Sequence, residues 1–273
     1  MSQSESEGNA PKRVVITGGS GGIGRSIVAH YLREGAQVVN LDRSAPDSDS
    51  AASQAQHISC DFSDAASIVG AFKLLDAHFA GQAPNLLVCA AAIGLTHHFL
   101  EVRAQDIDLV MGVNIKGTLL AAQQAARLMC AKKIKGHIVI ITSVSAAQGW
   151  AQEPLYCISK AAQMSMVQSL AVELAPFGII VNGIGPGVID VSSQGMSGNR
   201  AFPEIEQHYL DRIPLRRMGT PEEVAHTIAY LGTVTYMTGQ TLYMDGGLLA
   251  SGLAYIGPIR EDVLQRLADT DPV

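Results

Sequence analysis

The chain has 273 residues, 47% of them apolar and 16% charged, with a net charge of −6. That content suffices for one large domain with its own core, and the acidic balance excludes the basic footprint of a nucleic-acid binder. The longest apolar run, Leu86 to Leu95, is too short to span a bilayer, and residues 1–9 are polar where a signal peptide is basic and then apolar, so a cytoplasmic protein without a membrane partner is expected.

In chain order, residues 1–11 read as a disordered tail. From 12 to 250 short β-rich runs alternate with longer helical patterns, the rhythm of βαβ units. This predicts a single α/β domain, Rossmann-like and doubly wound, with a seven-stranded, mostly parallel sheet and helices on both faces. The strands are expected at Arg13–Ile16, Gln37–Leu41, His57–Cys60, Leu86–Ala90, His137–Thr142, Ile179–Gly183 and Thr241–Met244. Several are almost wholly apolar, as strands covered on both faces should be. Helices are expected at Ile23–Glu34, Ala65–Phe79, Ala104–Lys133 with a break, Tyr156–Ala175 and Pro221–Leu231. The last has a readable start, with Thr220 as cap, Pro221 in the first turn and Glu223 closing a capping box. Residues 188–214, rich in Ser, Gly and Asn, are long for a loop and read as a substrate lid. Residues 251–273 include an amphipathic stretch and read as an extension packed on the domain or on a neighbouring subunit. Cys60, Cys89, Cys130 and Cys157 form no C-x-x-C pair, which suits reduced thiols rather than a disulfide framework or a zinc site, and no metal site is expected.

Two patterns carry chemistry. Thr17-Gly18-Gly19-Ser20-Gly21-Gly22-Ile23-Gly24 lies between the first strand and the first helix, where a dinucleotide pyrophosphate docks on free backbone N–H groups. Asp42 ends the second strand 18 residues past Gly24, near the spacing at which a carboxylate meets the adenosine ribose hydroxyls and repels a 2′-phosphate. That favours NAD over NADP, although Arg43, which follows at once, would suit a 2′-phosphate. The second pattern is Tyr156-Cys157-Ile158-Ser159-Lys160, which on a helix stacks a phenol and an ammonium on one face.

With these motifs the chain resembles the short-chain dehydrogenase/reductase family over Arg13–Gly247. The motifs stand in family order: the TGGSGGIG turn, Asp42, Asp61 after the third strand, VNIKGT at Val113–Thr118, a serine after the fifth strand, YCISK, Gly185-Pro186-Gly187, and the closing IPLRRMGTPEEV and MTGQTLYMDGG segments. The resemblance implies an NAD(P)-dependent oxidoreductase acting between a secondary alcohol and a ketone. Tyr156 would be the general acid and base. Lys160, with the oxidised nicotinamide, would lower the pKa of the phenol and bind the nicotinamide ribose. Ser143 would hold the substrate oxygen, with Ser145 as its competitor. Asn114 would bend a helix and hold a water linking Lys160 to solvent. Cofactor contacts are implied for Gly18, Ser20, Gly21, Gly22, Ile23, Gly24, Asp42, Arg43, Asp61, Phe62, Ala90, Ala91, Ala92, Tyr156, Lys160, Pro186, Gly187, Val188 and Ile189.

The pattern departs from the family at two places. Cys89-Ala90-Ala91-Ala92 stands where the family usually has Asn-Asn-Ala-Gly, so contacts there must come from the backbone. Val191 replaces a threonine that contacts the carboxamide, leaving Ser192 or Ser193 as substitutes. Gln148, Trp150, Gln152, His97, His98 and Met196 are candidates for the substrate side of the cleft, and the lack of a basic cluster favours an uncharged or modestly polar substrate. Family members commonly assemble through the helices that here begin near Ala104 and Tyr156, which implies a homotetramer or a dimer. The rival readings are an NADP-dependent ketone or acyl-ketone reductase, and a dinucleotide-binding regulatory protein without turnover.

Overall fold

The computed structural model describes residues 12–191 and 210–251. The expected tail, most of the 188–214 segment with Ser192, Ser193 and Met196, and the extension after 251 lie outside the described residues.

Seven strands are formed: β1 (Arg13–Thr17), β2 (Gln37–Asp42), β3 (Gln56–Ser59), β4 (Leu86–Cys89), β5 (His137–Ile141), β6 (Ile180–Pro186) and β7 (Thr241–Met244). They lie in the order β3-β2-β1-β4-β5-β6-β7. Every pairing is parallel, where the sequence had suggested only a mostly parallel sheet. Successive strand side chains point to opposite faces, and the core divides accordingly. Val15, Leu87, Ile138, Ile140 and Val181 pack on one face with Phe72, Met129 and Val167. Val14, Ile16, Val88, Val139 and Ile184 pack on the other with Ile27, Tyr31 and Ile228. This two-sided burial is why the central strands β4 and β5 read as nearly unbroken apolar runs.

The helices of the first face are α2 (Ala65–His78), α4 (Thr118–Ala131) and α5 (Pro154–Leu174); those of the second are α1 (Gly22–Arg33) and α6 (Pro221–Leu231). The expected break falls between α3 (Ala104–Met111) and α4, where Gly112–Gly117 forms a π-helical turn. A side chain at Gly117 would place its Cβ 2.6 Å from the Phe62 carbonyl, so only glycine lets this turn pass beneath the β3–α2 loop. The capping box of α6 is present: Thr220 Oγ1 accepts the Glu223 N–H at 3.2 Å and Glu223 Oε2 accepts the Thr220 N–H at 2.8 Å.

The chain leaves β1 toward β2 and returns from the far side of β1 at β4, so the strand order reverses between β1 and β4. At such a switch point the loops at the carboxyl ends of the two strands diverge and open a crevice.

Candidate active site

The crevice is a cleft of about 780 Å³ at the carboxyl ends of the strands. Gly18, Gly21, Gly22, Ile23 and Gly24 form one wall. Gly18 has φ +72°, and a Cβ there would lie 2.7 Å from the Ala91 Cα; a Cβ on Gly24 would overlap the Gly18 carbonyl oxygen. The turn is therefore folded tightly on itself and on the end of β4, a cradle that side chains would fill. Gly21 is the N-cap of α1 and supplies no side-chain cap, so no side chain competes for the N–H groups of the first turn. Backbone donors at the positive end of a helix dipole, facing an open cleft, fit a diphosphate.

Asn40, which the sequence motifs do not mark, supports this wall from below. It is fully buried on β2; its Oδ1 accepts the Gly19 N–H at 2.9 Å and its Nδ2 donates to Ser20 Oγ at 2.9 Å. The Ser20 hydroxyl in turn donates to the Ser44 carbonyl at 2.6 Å.

Asp42, Arg43, Asp61 and Phe62 line the cleft beyond the turn. Asp42 accepts the N–H groups of Ser20 and Ser44, each at 3.1 Å. The Asp61 carboxyl is held below the usual carboxylate range, first by hydrogen bonds from the Ser63 hydroxyl and N–H. Ala90, Ala91 and Ala92 also line it. With no amide side chain at hand, the Thr17 hydroxyl anchors that stretch, accepting the N–H groups of Ala90 and Ala91 at 3.0 Å each. Pro186, Gly187, Ile189 and Val191 form the opposite rim, while Val188 packs with Trp150 against a small cluster of Val144, Ile213 and Leu248.

Ser143, Tyr156 and Lys160 meet in the cleft. Ser143 follows β5 and caps a short 3₁₀ turn: its Oγ accepts the Ser145 N–H at 3.1 Å and lies 3.1 Å from Ser145 Oγ, so Ser145 orients Ser143 from beneath. Pro154 opens α5, and Tyr156 stands one turn before Lys160. Burial pushes the Tyr156 phenol up to about 12, opposed by a hydrogen bond with the Ser143 side chain. Gly94 passes so close that a Cβ there would lie 3.5 Å from the ring.

The sequence argument has Lys160 lower the phenol together with the oxidised nicotinamide; in the protein alone burial is the largest influence on it. The Lys160 ammonium sits 5.4 Å from the centre of the Tyr156 ring, and its hydrogen bonds go to the Ile141 carbonyl at 2.7 Å and Gln163 Oε1 at 2.9 Å. Burial brings Lys160 itself down to about 7. Desolvation disfavours both charged forms and is the largest influence on each.

Asn114 lies in the π-turn, wholly buried. Its side chain accepts the Ile93 N–H at 2.9 Å and donates to the Ile93 carbonyl at 2.8 Å and to Ser159 Oγ at 2.9 Å. It thus ties the segment after β4 to the catalytic helix. Gln148 and Trp150 are half-buried and outside the cleft lining. His98 caps a local turn, and the His97 N–H donates to the Gln152 carbonyl at 2.9 Å. Leu95 and Leu109, which no motif marked, line the cleft with Val113, the first residue of VNIKGT. Among the described residues no group of three His, Cys, Asp or Glu could hold a metal ion, and no helix is long and apolar enough to cross a membrane.

Comparison with known proteins bears on this geometry. A family model described as enoyl-(acyl carrier protein) reductase matches residues 18–249. The L-xylulose reductase of Bos taurus is 33% identical over 245 residues, covering 89% of this chain and 98% of that protein. The L-rhamnose 1-dehydrogenase (NAD(P)(+)) of Azotobacter vinelandii is 34% identical over 255 residues, covering 88% and 97%. A crystal structure of a short-chain dehydrogenase from Leptospira borgpetersenii with bound NAD+ superposes with a TM-score of 0.79 at 31% identity, covering 87% of this chain and 92% of that one. The chain belongs to the short-chain dehydrogenase/reductase family. This short-chain dehydrogenase is an oxidoreductase that works with a nicotinamide dinucleotide between a secondary alcohol and its ketone.

Among the supporting residues, Gln163 had a readable signal, a polar side chain three residues after Lys160 on the same helix face. Asn40 had none, because its partners Gly19 and Ser20 lie in the distant β1–α1 turn, and although Thr17 opens the glycine-rich motif, nothing in the sequence ties its hydroxyl to Ala90 and Ala91 after β4.

Proposed function

We propose that the enzyme prefers NAD and interconverts an uncharged, hydroxyl-bearing secondary alcohol and its ketone, with Tyr156 as acid and base. The observation that carries this reading is the convergence of Ser143, Tyr156 and Lys160 in a cleft whose glycine wall fits a diphosphate. A bound nicotinamide supplies the hydride acceptor or donor. The chain supplies the proton and the orientation. In reduction the Tyr156 hydroxyl gives its proton to the substrate oxygen while the Ser143 hydroxyl donates a hydrogen bond to that oxygen; in oxidation the phenolate takes the alcohol proton. Lys160 holds positive charge beside the ring, and Asn114 fixes the segment after β4 on the same helix.

Support for NAD comes from Asp42. A carboxylate has about four acceptor sites; two are taken by Ser20 and Ser44, which leaves two for the vicinal hydroxyls of a ribose. NADH is expected to bind about 10–100-fold more tightly than NADPH, and Asp42→Ala should erase most of that gap. Fluorescence titration of both cofactors measures it, and tighter binding of NADPH to the unaltered enzyme would reverse the assignment. Among the described residues lining the cleft, Arg43 and Lys160 are the only cations, which supports an uncharged substrate. So do relatives named for xylulose and rhamnose. A panel of polyols, simple secondary alcohols and their ketones, followed by nicotinamide absorbance, tests the class.

The direction of the reaction should answer to pH. With the Tyr156 phenol up at about 12, the phenolate is scarce near neutrality and its fraction rises about tenfold per pH unit. Alcohol oxidation should therefore accelerate with pH across the neutral range, and ketone reduction, which uses the protonated phenol, should not. A kcat/KM profile for oxidation that is flat from pH 6 to 9 would contradict this.

The same reading places the enzyme in the cytoplasm as a homo-oligomer. All four cysteines are free thiols, as suits a reducing compartment. Leu119 on α4 and Ile158 and Val172 on α5 are exposed apolar side chains on the helices through which the family resemblance implies assembly.

A further inference from the structure

Lys160, Gln163, Asn114 and Thr118 form a closed hydrogen-bonded set inside the protein. Gln163 is 1% exposed, Lys160 2% and Thr118 3%. The Lys160 ammonium donates to Gln163 Oε1 at 2.9 Å; Gln163 Nε2 donates to the Asn114 carbonyl at 2.7 Å and to Thr118 Oγ1 at 3.0 Å. The orientation of the amide is dictated by its partners, since an ammonium only donates and a carbonyl only accepts. Both N–H bonds of the amide are used, and two of the three on Lys160 are used, by Gln163 and by the Ile141 carbonyl.

The family resemblance implied a water between the lysine and the Asn114 region. In this chain a side-chain amide stands there, and an amide neither gains nor loses a proton near neutral pH. We propose that Gln163 is a positioning residue for Lys160: its carbonyl keeps the buried amine an ammonium aimed at the cleft, and its NH₂ group closes the route by which a proton would hop from the lysine to Asn114. The bond matters because the titratable groups facing Lys160 offer it little support: the Cys89 thiol from β4, itself held protonated by burial, and the Tyr156 phenol on its own helix. The two acceptors on the ammonium, Gln163 Oε1 and the Ile141 carbonyl, are then the local groups that oppose desolvation, and Gln163 is the one a side-chain substitution can remove. The consequence for catalysis rests on the role of Lys160 given above; the test does not.

The test is NMR of lysine-labelled enzyme, in which the seven lysines of the chain are resolved and Lys160 is identified by its loss in Lys160→Arg. In Gln163→Met, which keeps the volume and removes the acceptor, Lys160 should titrate about one to two pH units lower than in the unaltered protein. In Gln163→Glu, which keeps the shape and adds a negative charge, it should titrate higher by a similar amount. Should Gln163→Met fail to fold, the upward shift in Gln163→Glu decides. An amide that only fills space would leave the titration unchanged in both, and that result overturns the proposal. For the closed route, the ammonium protons should exchange with solvent about tenfold faster in Gln163→Ser, which leaves room for a water among polar partners. An unchanged exchange rate overturns that half. Shifts of the expected sign in an enzyme that nevertheless turns over normally as Tyr156→Phe would sink the catalytic reading and leave this inference standing.

Discussion

Tyr156→Phe is expected to lower turnover by about 10²–10⁴-fold, the usual contribution of a positioned acid or base. Phenylalanine keeps the ring against Gly94 and beneath the Lys160 ammonium. Only the hydroxyl and its bond with Ser143 are lost. Dinucleotide affinity, which depends on the glycine wall and Asp42, should change by less than about threefold. Steady-state kinetics on any substrate found in the panel, paired with NADH titration by fluorescence, separate the two effects. Undiminished turnover would mean that another group moves the proton. A parallel loss of cofactor binding would mean that the hydroxyl is structural.

Gly24→Ala should abolish cofactor binding without touching a catalytic side chain. The new methyl would overlap the Gly18 carbonyl oxygen, so the turn must open and its N–H groups lose their common aim. A fall in NADH affinity of about 100-fold, or ~2.7 kcal/mol, is expected, with a lowered melting temperature of the free protein. The control is Gly70→Ala, in the middle of α2, where an added Cβ has no neighbour within 4 Å. That change should leave binding intact and stabilise the protein by about 0.5–1 kcal/mol. If Gly24→Ala bound NADH like the parent, the diphosphate would have to sit elsewhere in the cleft.

The central strands were legible because both of their faces are buried, which makes β4 and β5 nearly continuous apolar runs of the kind that neither loops nor amphipathic helices show. The Tyr156–Lys160 pair was legible because its partners sit one turn apart on a single helix. The pKa of that pair was not, since it depends on how much water the folded cleft excludes, and burial proved the larger effect for both groups. Trp150 shows the same limit: its closeness to Tyr156 in the chain suggested a cleft wall, whereas it packs with Ile213 and Leu248 from distant segments.

By itself the sequence determined the alternation of strands and helices, the dinucleotide turn and the serine, tyrosine and lysine of the site, because each of these is written in neighbours within a strand, a turn or one helical period. Only the folded chain decided what stands behind them. Asn40 reaches the turn across 21 residues, and Gln163 reaches Asn114 across 49. Contacts of that range exist only after the sheet order brings the elements together, and the burial that comes with them sets which groups carry charge.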